Sequence, residues 1–202
     1  MSDVRYAMSF TTGGLFRNES LKLISLYLEL SDWDAVRDTV CEQNILQART
    51  INSLKRITRE IISRLKTLSR NEIELLSHAS RQEQGYLLWL AVCRRYRFIA
   101  DFSIEVLHER YICLKTDLNY DDFDSFFNKK SEWHPELDAI RPATRQKLRQ
   151  VLFKMLKEAD LLTSKNNIIA AMLSREIIRA IPLENRQNIL CFPVFESDLK
   201  DS

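Results

Sequence analysis

Only three glycines and four prolines occur in this chain of 202 residues. Both residue types punctuate turns, and a many-turned β fold of this length needs more of them. Their scarcity predicts a mainly α fold. Apolar residues make up 45% of the chain and charged residues 29%, a balance typical of a globular protein rather than a disordered one. The length suits one large domain or two small ones, with enough chain to bury a core.

Apolar spacing supports the helical reading. Gly13-Gly14 marks an early turn whose flanking aromatics should dock on the core, and Asn18 can cap a helix through "ESLKLISLYLEL". Ser31 and Asp34 have capping-box spacing before "WDAVRDTVCEQN". In residues 50–69, Ile51, Leu54, Ile57, Ile61, Leu65 and Leu68 recur every three or four positions, as one face of a third helix requires. Two short helices and a longer one suit a helix-turn-helix-like cluster. Another amphipathic helix is expected over 71–81. Two helices with apolar residues on most sides, expected within 83–113, should form the interior spine.

"TDLNYDD" breaks the pattern and places a domain boundary near 116–121, giving an N-terminal helical domain over 1–116 and a C-terminal domain over 117–202. The second domain opens with helices through "DFDSFFNKKSEW" and "PELDAI". A longer one starts at Pro142 and is traced by Leu148, Val151, Leu152, Met155, Leu156 and Ala159. "LLT", the polar turn "SKNN" and "IIAAML" then read as a small β-hairpin, although "IIAAMLSREIIRAI" also fits one continuous helix. Helices at about 174–181 and 184–190 and a frayed tail, "SDLKDS", complete the chain. The expected architecture is a helical bundle with a helix-turn-helix-like N-terminal part and a winged-helix-like C-terminal part carrying the hairpin.

A net charge of +2 hides a strong segregation. Residues 49–70 carry Arg49, Lys55, Arg56, Arg59, Arg64, Lys66 and Arg70 against the single acid Glu60. Residues 141–165 carry seven more basic groups against Glu158 and Asp160, while residues 101–138 hold ten acids and four bases. At about 100° per residue, Arg56, Arg59, Ser63, Lys66 and Arg70 share a narrow stripe opposite the apolar face of the third helix. Solvated helices usually mix charge signs, so a nearly all-positive face points to a polyanion. The helix from 142 places Lys147, Arg149, Lys154 and Lys157 on its polar side, with Arg145 a turn earlier. Lys165 and Asn166 stand at the hairpin tip. The candidate nucleic-acid contacts are therefore Arg49, Lys55, Arg56, Arg59, Lys66, Arg70, Arg145, Lys147, Arg149, Lys154, Lys165 and Asn166. No aromatic stripe for stacking bases is evident, which favours double-stranded DNA or structured RNA over a single strand.

Motifs for chemistry are missing. There is no P-loop, no dinucleotide fingerprint and no GxSxG. His78, His108 and His134 lack metal-ligand spacing and read as surface or structural residues. Asp117, Asn119 and Asp121 open like a calcium loop, but Asp122 and Asn128 stand where glycine and glutamate are needed, so turn and cap roles fit better. Cysteines 41, 93, 113 and 191 form no CxxC pair and read as reduced, buried thiols of a cytosolic protein. The start "MSDVRYAMSF" lacks a signal-peptide apolar stretch, and the longest apolar run, "YLLWLAVC", is far short of a membrane span. No enzyme, cofactor, metal or membrane association is expected.

"YAMSFTTGGLFRNES", "NILQARTINSLKRITREIISRL" and "ATRQKLRQVLFKMLKEADLL", in that order, resemble the BrxA family, the small A component of bacteriophage-exclusion (BREX) systems. The resemblance implies a cytoplasmic bacterial protein encoded beside a DNA methyltransferase, an alkaline-phosphatase-like protein and ATPases, with phage defence as its setting. It also implies likeness to a helical antitermination factor that binds RNA, and nucleic-acid binding without catalysis. The family's glycine before Leu161-Leu162 stands here as Asp160, which tolerates unusual backbone angles less readily. The leading expectation is a double-stranded DNA-binding component with weak sequence preference. Alternatives are an adaptor docking other defence proteins through the acidic, aromatic segment 121–138, and a structured-RNA binder.

Overall fold

The computed structural model describes residues 5–195, and they are mainly helical. The first five helices are α1 (Arg17–Leu30), α2 (Trp33–Glu42), α3 (Ile51–Leu65), α4 (Arg70–His78) and α5 (Arg81–Arg95). After Tyr96, α6 (Arg97–Phe102), a π-helical turn (Ser103–His108) and α7 (Glu109–Ile112) follow one another directly. Next come α8 (Tyr120–Ser131), α9 (Pro135–Asp138), α10 (Pro142–Glu158), α11 (Arg175–Ala180) and a 3-10 helix (Leu183–Cys191). The tail expected to fray lies outside the described residues.

Local chemistry sets the helix starts, sometimes one residue away from the expected cap. Asn18 does not cap α1, which begins earlier, after Phe16 in a left-handed conformation (φ 57°). Ser31 does not cap α2 either. It closes α1 at φ 54°, and Asp32 accepts the Asp34 N–H instead. Thr50 caps α3. That helix stops at Leu65 rather than continuing to 69, because a capping box of Ser69 and Glu72 starts α4. Ser80 and Glu83 form the same box for α5. Residues 43–50 link α2 to α3, a longer connection than the three or four residues of a helix-turn-helix turn.

Helix α5 is the spine: every residue from Gly85 to Cys93 is buried, and both α3 and α10 pack against it. Gly85 lets the end of α10 approach, since an added Cβ there would lie 3.3 Å from Ala159 Cα. Trp89 Nε1 donates to the Cys191 carbonyl at 3.0 Å, tying the 3-10 helix to the spine. Glu72, fully buried, accepts two bonds from Arg94 at 2.7 and 2.8 Å and so locks α4 onto α5. Phe10 is buried in the core and Phe16 packs against it, as expected of the aromatics flanking Gly13-Gly14, and Tyr6 is buried as well. Phe123, Phe126 and Phe127 pack around Phe98, but Trp133 is 73% exposed. The buried apolar residues form one cluster from Tyr6 to Val194 that passes through Leu118, inside the segment read as a boundary.

The expected hairpin takes a different form. Leu162 and Ile168 form a single antiparallel bridge, Asp117 and Asn167 another, and no sheet develops among the described residues. Thr163 N–H donates to Asn167 O, and Ile169 N–H to Leu161 O. On the opposite edge of the same segment, Ile168 N–H donates to Thr116 O and Leu118 N–H to Asn166 O, so residues 116–118 pair alongside it. Beyond Ile169 the chain is irregular until α11, and "IIAAML" does not join that helix.

Asp160 adopts the left-handed conformation (φ 56°), which glycine takes without strain. Leu161 N–H bonds to Leu156 O and Asp160 N–H to Lys157 O, the paired pattern of a Schellman stop to α10.

The histidines fill structural places. His108 and His134 are buried, with His108 Nδ1 2.9 Å from Phe192 O, and His78 is exposed. Of the cysteines, Cys93 and Cys191 are buried as expected and Cys41 is half-buried, but Cys113 is exposed. Burial pushes the Cys93 thiol well above its ordinary value, and neighbouring Cys191 adds to the effect. Asp117 and Asn119 play the turn and cap roles: Asp117 pairs with Arg110, and Asn119 N–H opens α8 by bonding Asp122.

Candidate nucleic-acid interface

The buried side of α3 carries Leu54, Thr58, Ile61, Ile62 and Leu65, and it also takes Arg64. Arg64 Nε bonds Glu60 at 2.7 Å and its Nη1 donates to the Gly14 carbonyl at 2.6 Å. Tyr96 Oη donates to the same Glu60 carboxylate at 2.6 Å, and burial followed by that carboxylate pushes the Tyr96 phenol up to about 12. The one acid of α3 is thereby consumed internally. Its outward face keeps Lys55, Arg56 and Arg59, with Lys66 at the C-cap, all exposed and none paired with a carboxylate among the described residues.

Lys55, Arg59 and Lys66 line one groove of about 550 Å³ between α2 and α3, with Trp33, Ile62 and Ser63 as further walls. Asp34 and Asp38 also reach it, but each is held by Arg37, at 2.9 and 3.0 Å. Arg49 is exposed on the connection leading into α3. Arg70 falls off the expected stripe because α3 has ended. It starts α4 and pairs with Glu74 four residues on.

Along α10 the basic groups meet acids. Arg145 Nε bonds Asp124 of α8 at 2.9 Å, its Nη1 bonds Asn128 at 2.7 Å, and its guanidinium lies 4.3 Å from the Phe127 ring centre. Arg149 pairs with the same Asp124 and sits over Tyr120. Both arginines are half-buried. Lys154 lies 3.6 Å from Glu158, and Lys157 donates to Ser164 O. Glu158 itself accepts the Leu15 N–H at 2.6 Å, and a Cβ on Gly14 would sit 2.1 Å from its carboxylate. The Gly13-Gly14 turn thus cradles an anion supplied by the chain. Lys147 and Lys165 are exposed. Asn166 holds the turn at φ 63°, with its side-chain oxygen buried.

The structure therefore gathers Lys55, Arg59 and Lys66, sets Arg56 and Arg49 beside them on α3 and its approach, and ties Arg145 and Arg149 to α8. Spacing could have revealed the Arg70–Glu74 and Lys154–Glu158 pairs, each four apart on a helix. No linear signal announced Asp124, or the place of Trp33 in the groove.

The sequence model of the BrxA family matches residues 4–185. The chain belongs to the BrxA family. It is 27% identical over 180 residues to the BREX protein BrxA of Escherichia coli O9:H4 (strain HS), covering 88% of this chain and 84% of that protein. A BREX protein BrxA of Paramagnetospirillum magneticum (strain ATCC 700264 / AMB-1) is 21% identical over 94% of this chain and 96% of its own length. The fold of this BrxA-family chain also matches the crystal structure of an uncharacterized protein from Magnetospirillum magneticum, with a TM-score of 0.81 at 21% identity, over 93% of this chain and 98% of that one. Among its described residues no helix is long and apolar enough to cross a membrane.

Proposed function

We propose that this chain is a non-enzymatic, cytoplasmic component of a bacterial BREX phage-defence system that holds double-stranded DNA by its phosphates, with weak sequence preference. The observation that carries this reading is the exposed α3 face, where Lys55, Arg56, Arg59 and Lys66 have no carboxylate partners among the described residues. Unneutralised cations on one face repel one another, and a phosphate backbone relieves that repulsion. Arg49 extends the face along the approach to α3. In this reading α2 and α3 serve as the helix-turn-helix-like element, and the fold-back at 161–169 acts as a short wing carrying Lys165. Family membership supports a setting among other BREX components, and in this reading a methyltransferase, a phosphatase-like protein and an ATPase are its partners.

The test is charge reversal. Arg56, Arg59 and Lys66 changed together to Glu should lower duplex affinity about a hundredfold or more in a gel shift at low salt, with helicity unchanged by circular dichroism. Unaltered binding by that folded variant refutes the assignment. Direct competition between duplex DNA and structured RNA of equal length separates a DNA binder from an RNA binder. One further observation favours a second role: Trp133, within the acidic segment 121–138, is 73% exposed and offers an anchor to another protein. Pull-down after nuclease treatment distinguishes direct partners, which persist, from a set bridged by DNA, which is lost.

A further inference from the structure

The groove between α2 and α3 holds a flat aromatic surface as well as cations. Trp33 lines it, and the Trp33 indole is stacked on Tyr27 of α1 with centroids 4.0 Å apart and planes within 10°. The two rings brace each other, so the indole has little freedom left to lose when another ring comes against it. Trp33 is half-buried: it packs partly against the core, Tyr27 covers one of its faces, and part of the side chain lines the groove. At about 550 Å³ the groove falls within the size range of small-ligand sites, large enough for one nucleotide.

An intact duplex has no use for such a ring. Its bases are stacked on one another, and it presents phosphates and groove edges to a protein. An unpaired base has a free π face, and proteins that hold single strands pair a basic track with aromatic platforms. Here the basic track is Lys55, Arg59 and Lys66, and the platform is Trp33. Asp34 and Asp38 at the same groove are occupied by Arg37, which limits their repulsion of a phosphate.

We propose that this groove binds an unpaired nucleotide of DNA, at an overhang or at a junction of single and double strand, with its base laid on Trp33 and its neighbouring phosphates against Lys55, Arg59 and Lys66. The proposal rests on reading α3 as the nucleic-acid surface, and it makes Trp33 the residue that prefers a strand discontinuity to continuous duplex.

The probes are a short blunt duplex and the same duplex carrying a single-stranded overhang of about five nucleotides. The full chain should bind the overhang form about tenfold more tightly than the blunt form. Tryptophan emission should be quenched by the overhang form in a Trp133→Phe background, where Trp33 reports because Trp89 is fully buried. Trp33→Leu should bring the affinity ratio of the two probes close to one, Trp33→Phe should keep most of it, and Trp133→Phe should leave it intact. Equal affinity of the wild type for both probes overturns the proposal, as does a ratio that survives Trp33→Leu. If the blunt duplex binds and weakens with salt in those same experiments, the phosphate reading stands and only the role of Trp33 falls. If neither probe binds, both fall.

Discussion

Helix α3 and helix α10 carry similar runs of basic residues, yet the fold treats them in opposite ways. On α3 the single acid, Glu60, is drawn inward to Arg64 and Tyr96, and the outward cations are exposed with no carboxylate partner among the described residues. On α10, Arg145 and Arg149 converge on Asp124 from α8 and lie over aromatic rings. The first arrangement leaves charge facing solvent, where a polyanion can use it. The second spends charge on holding α8 to α10. A basic stripe identifies a binding face only once the source of its counter-charges is known.

Transferring the charge reversal from α3 to α10 gives the largest contrast. Against the hundredfold loss expected from the α3 triple variant, Arg145→Ala with Arg149→Ala should change duplex affinity less than about threefold, because those side chains are already partnered. Comparable losses from both variants would erase the distinction drawn here. Next in size, Asp124→Ala should destabilise the fold by about 1.5–3 kcal/mol, since the carboxylate accepts charged hydrogen bonds from two arginines and leaves both without their partner. At roughly 2–4 °C per kcal/mol, the melting temperature should fall by about 3–12 °C. The same variant should bind duplex a few-fold more tightly at low salt, because Arg145 and Arg149 of α10 then lose the carboxylate that neutralises them. Unchanged affinity in the folded variant would place α10 away from the nucleic acid.

Smaller still is the effect of Asp160→Gly at the end of α10. Removing the side chain from a left-handed position should add about 0.5–1 kcal/mol of stability, read by thermal melting, with no change in binding. The thiols give the mildest test: a thiol reagent should label exposed Cys113 first and buried Cys93 and Cys191 only on unfolding.

The helices were legible in the sequence where a local pattern specifies them. Apolar residues at three- and four-residue spacing trace α3 and α10, and Pro142 begins α10 as its fixed φ suggests. Caps were harder to assign because Ser31 and Asp32 both suit the role, and the backbone at Ser31 had already turned left-handed to close α1. Of the expected hairpin the described residues keep one antiparallel bridge, Leu162 to Ile168, and the pairing of 116–118 along its outer edge was not legible because no local rule includes a segment some fifty residues away. The candidate site divides along the same line. Exposure of Lys55, Arg56, Arg59 and Lys66 followed from helical geometry. The loss of Arg145 and Arg149 to Asp124, and the Trp33–Tyr27 stack beside the cations, depend on how helices pack together.

The salt dependence of duplex binding tests the central claim most directly. If Arg49, Lys55, Arg56, Arg59 and Lys66 each meet a phosphate, log K should fall against log salt with a slope of about −4 to −5, from roughly −0.9 per phosphate. In the α3 charge-reversal variant any residual binding should show a slope closer to zero by about three. A wild-type slope near zero, or one that the α3 variant leaves unchanged, would contradict the account.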